Sequence, residues 1–283
     1  MRAIDLLAQT LRIAIPYLFA AAGGVLAERS GVISLGLEGY MLAGAFGGTL
    51  GTYYTGSGWI GVACGAAAGL LFALVHALVS LRFRADQVVS GIAINLLVIG
   101  LTRFLLKLFF GSSSNSPRVG GFAFDPLLVI GVFAPVALAW LIYRTPYGLR
   151  VRAAGEHPEA AETLGVRVRR VRLIAVATSG ALAALGGVYL ALDQHQFTDE
   201  MTAGRGFIAL AAMILGGWTP LGALAACLLF GAAEALQLRL QSSSLPVGSG
   251  LVQVMPYAVT IVALTLRARR QVAPRALGRP DGV

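Results

Sequence analysis

Long apolar runs separated by short polar breaks dominate this chain. They fall at about 3–27, 31–54, 58–81, 88–110, 122–143, 171–193, 204–217, 220–240 and 251–266. Most reach the roughly 20 residues that a membrane-spanning helix needs. The run 204–217 is too short for a full crossing, which predicts a half-helix or a short helix covered by protein. The run 31–54 is also open to being broken or re-entrant. The pattern predicts an all-α, polytopic transmembrane helical bundle of about nine segments (8–10). One long polar stretch interrupts the interior, at about 144–172.

Arginine placement orients these segments. With the breaks near 28–30, 82–87 and 144–172 and the tail 267–283 on one side, that side holds fifteen arginines. The other holds Arg2, Arg118 and Arg205. Short basic loops stay cytoplasmic, so the expected topology is nine crossings, an external N-terminus and a cytoplasmic C-terminus. Composition agrees: 57% of the 283 residues are hydrophobic and 12% charged, against roughly 25% charged in soluble domains. No independent soluble domain fits, so 1–283 reads as one transmembrane domain with a polar loop and a basic tail. Arg12 and Pro16 interrupt the apolar core that a cleavable signal would need, so the N-terminal run reads as a first membrane segment. The net charge of +9 is spread over loops without basic-aromatic clusters and does not indicate nucleic acid. Cys64 and Cys227 lie in apolar runs and read as small packing residues.

Inside the polar stretch sits a small helix with its own punctuation, from Pro158 to Leu164. Pro158 suits the first helical position. Glu159 and Glu162 place negative charge near the helix start. Gly165 can take the left-handed stop conformation, and Gly155 lets the chain turn into the helix. Ala160 and Ala161 are small enough for a partner to approach the backbone. A helix this short is marginal alone and needs contacts with its own chain or a partner.

Polar groups inside apolar runs mark candidate pathway residues. Glu38, between Gly36 and Gly39, is costly at membrane depth; it fits a cavity in a broken helix or a structural pairing. Asn95 suits a ligand or a helix–helix hydrogen bond. Glu234 and Gln237 share one helical face. His76 and His195 read as structural, and Arg103 with Lys107 as snorkelling groups. Glycines at 44, 47, 48, 51, 61, 65 and 69 form Gly-x-x-x-Gly pairs, suited to packing within one subunit or to a dimer seam.

Catalytic signatures are missing. The single lysine, Lys107, is not part of a Walker A loop, and no His-Glu-x-x-His, Gly-x-Ser-x-Gly or metal-ligand cluster occurs. Any ATP-driven work would need another polypeptide.

The segment Thr145–Val166 resembles the cytoplasmic coupling loop of ABC importer permeases serving ribose-type sugars, branched-chain amino acids and nucleosides. The family pattern Ala-x-Gly-x-x-Pro-x-Ala-Ala-x-x-x-Gly maps to Ala153, Gly155, Pro158, Ala160, Ala161 and Gly165, with Glu156 and Glu159 inside it. Residues 28–39, Ser90–Asn95 and 206–212 resemble the nucleoside branch, and the likeness runs over nearly the whole chain. The resemblance implies a type II ABC importer-like fold and a non-enzymatic subunit in a bacterial inner membrane. It further implies a second homologous permease (or a second copy), an ABC ATPase subunit that uses ATP and Mg²⁺, and an extracytoplasmic solute-binding lipoprotein. Nucleosides are the expected substrate, with simple sugars or branched-chain amino acids as alternatives. The contrasting class is a self-contained channel or carrier.

Overall fold

The computed structural model describes residues 3–122, 126–242 and 272–279, together with Ala258, Ile261, Val262 and Thr265. Among these residues the regular structure is helical. The long helices are α1 (Ala3–Arg29), α2 (Leu37–Thr55), α3 (Gly58–Ala77), α4 (Gln87–Phe110) and α5 (Pro126–Arg144). Two short helices follow, α6 (Pro146–Glu156) and α7 (Pro158–Thr163). Then come α8 (Val168–Asp193), α9 (Arg205–Leu215) and α10 (Pro220–Ser242).

The boundaries follow local chemistry. The Asp86 carboxylate accepts the Val88 and Val89 N–H groups at 2.8 and 2.9 Å and starts α4. Gly56 and Gly111, at φ 68° and 69°, end α2 and α4 in the left-handed region. At its end α3 widens into a π-helical turn, Leu78–Arg82, where the Ser80 hydroxyl donates to the His76 carbonyl.

Among the described residues, six helices are long and apolar enough to cross a membrane: those over Asp5–Arg29, Gly58–Arg82, Gln87–Phe110, Pro126–Arg144, Val168–Asp193 and Pro220–Gln241. The expected nine are not established. The run 31–54 is not one helix, because residues 30–36 are irregular and α2 begins only at Leu37. At 19 residues α2 is long, but its glycine, threonine and tyrosine content keeps it out of the apolar set. The run 204–217 forms the 11-residue α9, roughly 16 Å long and half a crossing. Most of 251–266 lies outside the described residues.

α1 lies at the centre of the bundle, with α8 and α10 against it. α2, α3 and α8 form a tight trio around small residues. A Cβ on Gly65 would lie 2.7 Å from the Gly44 carbonyl, and one on Gly69 2.5 Å from the Gly180 carbonyl. The Gly-x-x-x-Gly positions thus bring helices of the same chain together.

Two ends are distinct. The basic end carries Arg29, the π-turn, α6, α7, the α9–α10 turn and the segment 272–279. At the opposite end Ser116 and Val119 donate to the Phe197 and His195 carbonyls, both at 2.8 Å. There Arg103 binds Asp199 at 2.5 Å and Glu200 at 3.2 Å, so it is an ion-pairing group.

Candidate functional site

Two regions hold the functional candidates: a polar belt at mid-depth and the exposed surface of α6 and α7 at the basic end. The belt is built on two helix starts inside the bundle. α9 begins after Gly204, which has φ +82°. Its first N–H groups would be orphaned in an apolar interior. Glu38, on the first turn of α2, supplies the acceptors. Its Oε1 takes the Gly204 N–H at 2.8 Å and its Oε2 the Gly206 N–H at 2.6 Å. The approach requires glycine, because a Cβ on Gly206 would stand 2.5 Å from the Glu38 Cα.

Asn95 does the equivalent work for α2. Its Oδ1 accepts the Gly39 N–H at 2.8 Å, and its Nδ2 donates to the Leu35 carbonyl at 2.9 Å, bridging the irregular stretch and the helix that follows. Both side chains are buried. Asn95 lies eight residues into α4, about 12 Å from its start, so this junction is inside the bundle.

Glu234 forms the second half of the belt. Its Oε1 lies 3.2 Å from Arg205 Nη2, and its Oε2 accepts the Tyr17 hydroxyl. α1, α9 and α10 therefore meet at one partly exposed ion pair, with 23% of each side chain accessible. Gln237 is half-buried one turn further along α10. The structure brings Glu38 and Asn95 together at the start of α2, and Glu234 with Arg205 beside the start of α9. The partners Arg205 and Tyr17 were not singled out from sequence. The usable signal was Glu234 itself, since a carboxylate at depth calls for a cation or donor. Electrostatically the belt is largely compensated. Glu38 offsets the positive end of α9, and Glu234 offsets Arg205.

At the basic end, the polar stretch contains two helices where the sequence predicted one. Thr145 caps α6, its hydroxyl accepting the Gly148 N–H at 3.1 Å. α7 runs from Pro158 to Thr163, and Gly165 follows at φ +80°. Gly155 is not a turn residue. It lies within α6 and packs on the Arg29 carbonyl, where a Cβ would clash; the turn into α7 falls at His157. Glu156 lies near Arg29, with 3.8 Å between charges. The two alanines differ. Ala160 is exposed with Glu159, Glu162 and Thr163, whereas Ala161 is 4% exposed and faces its own chain. Leu164, at 84% exposure, is the most open apolar side chain of this surface.

The α6–α7 surface is tied to the belt by buried polar groups that the sequence presents only as loop charges. Arg172 is fully buried. Its guanidinium donates to the carbonyls of Ser30, Arg279 and Ala154 at 3.0, 3.1 and 3.3 Å. The segment 272–279 closes over the same place: Ala276 N–H donates to the Gly155 carbonyl at 2.8 Å and Gly278 N–H to the Gly31 carbonyl at 3.0 Å. Glu28 accepts the Ser34 N–H at 3.1 Å and the Trp218 indole N–H at 2.6 Å, and Arg29 Nε donates to the Trp218 carbonyl at 2.7 Å. His76, also buried, bonds Ser90 Oγ at 3.0 Å and the Ile33 carbonyl at 3.2 Å.

Comparison with known proteins agrees with this architecture. Residues 6–264 match the model of the branched-chain amino acid transport system / permease component family. The guanosine ABC transporter permease protein NupQ of Bacillus subtilis (strain 168) is 40% identical, over 96% of this chain and 94% of its own length. The nucleoside ABC transporter permease protein NupC of Lactococcus lactis subsp. cremoris (strain MG1363) is 36% identical, over 93% and 92%. A permease protein of Haloferax volcanii whose name assigns it to glucose, TsgC13, is 38% identical over 86% and 80%. In fold, the chain is similar to a solved metal-chelate-type ABC transporter in an inward-facing conformation. The TM-score is 0.53 at 18% identity, covering 91% of this chain and 84% of that one. The chain belongs to the branched-chain amino acid transport system / permease component family and is a multi-pass membrane permease subunit.

Proposed function

We propose that this chain forms one half of the translocation pathway of an ATP-driven importer for nucleosides. The observation that carries the reading is the likeness to NupQ and NupC over more than nine-tenths of each chain. The belt suits such a cargo. Its charges are internally compensated, so it is better matched to an uncharged polar solute than to a lone anion or cation. Glu38 and Asn95 hold the two interrupted crossings in shape, while Glu234, Arg205 and Gln237 line the accessible side.

In this reading the basic end is cytoplasmic, the N-terminus external and the crossings nine, with α2 and α9 as parts of interrupted ones. The exposed edge of α7, from Glu159 and Ala160 to Leu164, docks on an ABC ATPase subunit that uses ATP and Mg²⁺. A homologous permease or a second copy completes the pathway, and an extracytoplasmic solute-binding lipoprotein delivers the cargo at the opposite end. Glucose-type sugars are the second reading, favoured by TsgC13. Uptake into cells producing the whole system tests the choice. Labelled guanosine or adenosine should enter and be competed by nucleosides, not by glucose, ribose or leucine. Sugar uptake without nucleoside uptake would replace the proposal with the second reading.

A further inference from the structure

We infer that the basic end carries a binding site for one anionic phospholipid, in a groove between α3 and α8. The groove has a volume of about 320 Å³ and is lined by Leu74, Ala77, Leu78, Leu81 and Leu173, with Arg82 and Arg169 among its walls. Its chemistry divides as a phospholipid does. Leu74, in the last turn of α3, and Leu78, at the start of the π-turn, are 38% and 52% exposed, so the apolar wall is open to the hydrocarbon. Arg82 ends the π-turn and Arg169 lies in the first turn of α8, both exposed. They therefore sit where the apolar span gives way to headgroups.

Neither guanidinium has an ion-pair partner among the described residues. Two unneutralised arginines beside an apolar slot complement a phosphodiester with an acyl chain. Basic pockets between spanning helices hold anionic headgroups for this reason, and guanidinium forks suit phosphate oxygens. The π-turn contributes geometrically, since one extra residue in the turn re-aims the helix end that carries Arg82. A soluble partner cannot occupy the groove, because its floor runs into the spanning part of α3.

The test is native mass spectrometry of the purified chain in detergent, titrated with phosphatidylglycerol or phosphatidylcholine of identical acyl chains. Each arginine is worth about a fivefold preference, so the pair should favour phosphatidylglycerol roughly twenty-five-fold. Arg82→Ala with Arg169→Ala should remove the preference. Leu78→Trp, which fills the slot and keeps both charges, should weaken retention of both lipids. Glycerol phosphate at matched concentration should not displace the lipid. Equal retention of the two lipids by the wild-type chain overturns the inference, independently of how the variants fold. So does displacement by glycerol phosphate, which would make this a simple phosphate site. A Leu78→Cys disulfide between two copies in a Cys64→Ser background overturns it as well, since the groove would then be covered by a second copy.

Discussion

Replacing Glu38 separates a helix cap from a ligand contact. In Glu38→Leu the Gly204 and Gly206 N–H groups lose their acceptors at 2.8 and 2.6 Å in a buried site. Each orphaned donor costs roughly 1–3 kcal/mol, and the lost carboxylate at the start of α9 adds about 0.3–1 kcal/mol. A loss of about 2–7 kcal/mol lowers the unfolding temperature on the order of 10 °C. Glu38→Gln keeps one acceptor oxygen but turns an NH₂ toward the other N–H, so it should fall between the two. The assay is thermal unfolding of the purified permease in detergent, followed by uptake measured on cells with matched membrane expression. The expected order in stability is Glu, Gln, Leu, with uptake following it. Glu38→Leu unfolding at the wild-type temperature would refute the capping role. If such a stable variant also lost uptake, the carboxylate would instead be contacting the cargo.

The two alanines of α7 predict opposite behaviour. Ala160→Arg should leave folding intact but abolish co-purification with the ATPase and reduce uptake at least tenfold, whereas Ala161→Arg should lower yield and melting temperature of the permease itself. Equal stability of the two variants would contradict the buried placement of Ala161. Arg172→Met removes donors to three carbonyls at roughly 1.5–3 kcal/mol each, and should make α6 and the segment 272–279 susceptible to limited proteolysis; an unchanged cleavage pattern would count against the hub. Cysteines at Ser113 and Glu159, both exposed, should react with an impermeant maleimide from opposite sides of the membrane, and labelling of both from outside would reject the orientation.

Much of this was legible because membrane helices announce themselves by length and apolarity. The run 88–110 lies within one residue of α4 at each end, and the short reach of 204–217 was visible as a run too brief to cross. Where sequence reading fell short, tertiary pairing decided. The glycines around Glu38 left 31–54 open to a break, but where the break falls depends on Asn95, 56 residues beyond Gly39. Arg172 looked like one more cytoplasmic charge among seven in its loop, because burial of an arginine by backbone carbonyls leaves no periodic trace. Arg205 was counted as an external charge, yet it is drawn inward by Glu234. Gly155 suited a turn by residue type, while its actual demand is close approach to Arg29.

The arrangement of these ties has a mechanical consequence. Both interrupted crossings are fastened to the same junction. Glu28 accepts from Ser34, at the foot of the crossing that continues into α2, and from Trp218, just past the end of α9. Arg29, its neighbour, donates to the Trp218 carbonyl and lies near Glu156 at the end of α6. Arg172 fixes Ser30 to Ala154 in that same helix. A displacement of α6 and α7 is therefore delivered to residues 28–34 and 216–218 as well as to α5 and α8, against which α6 packs. From there the path to mid-depth is short: residues 30–36 lead to Glu38, and the 11-residue α9 leads back to Gly204 and Gly206. Because Glu38 binds those glycines, the two routes meet at one carboxylate. The interrupted crossings are held at this point by a few hydrogen bonds that can exchange. Force applied at the basic end thus acts where the polar belt is assembled.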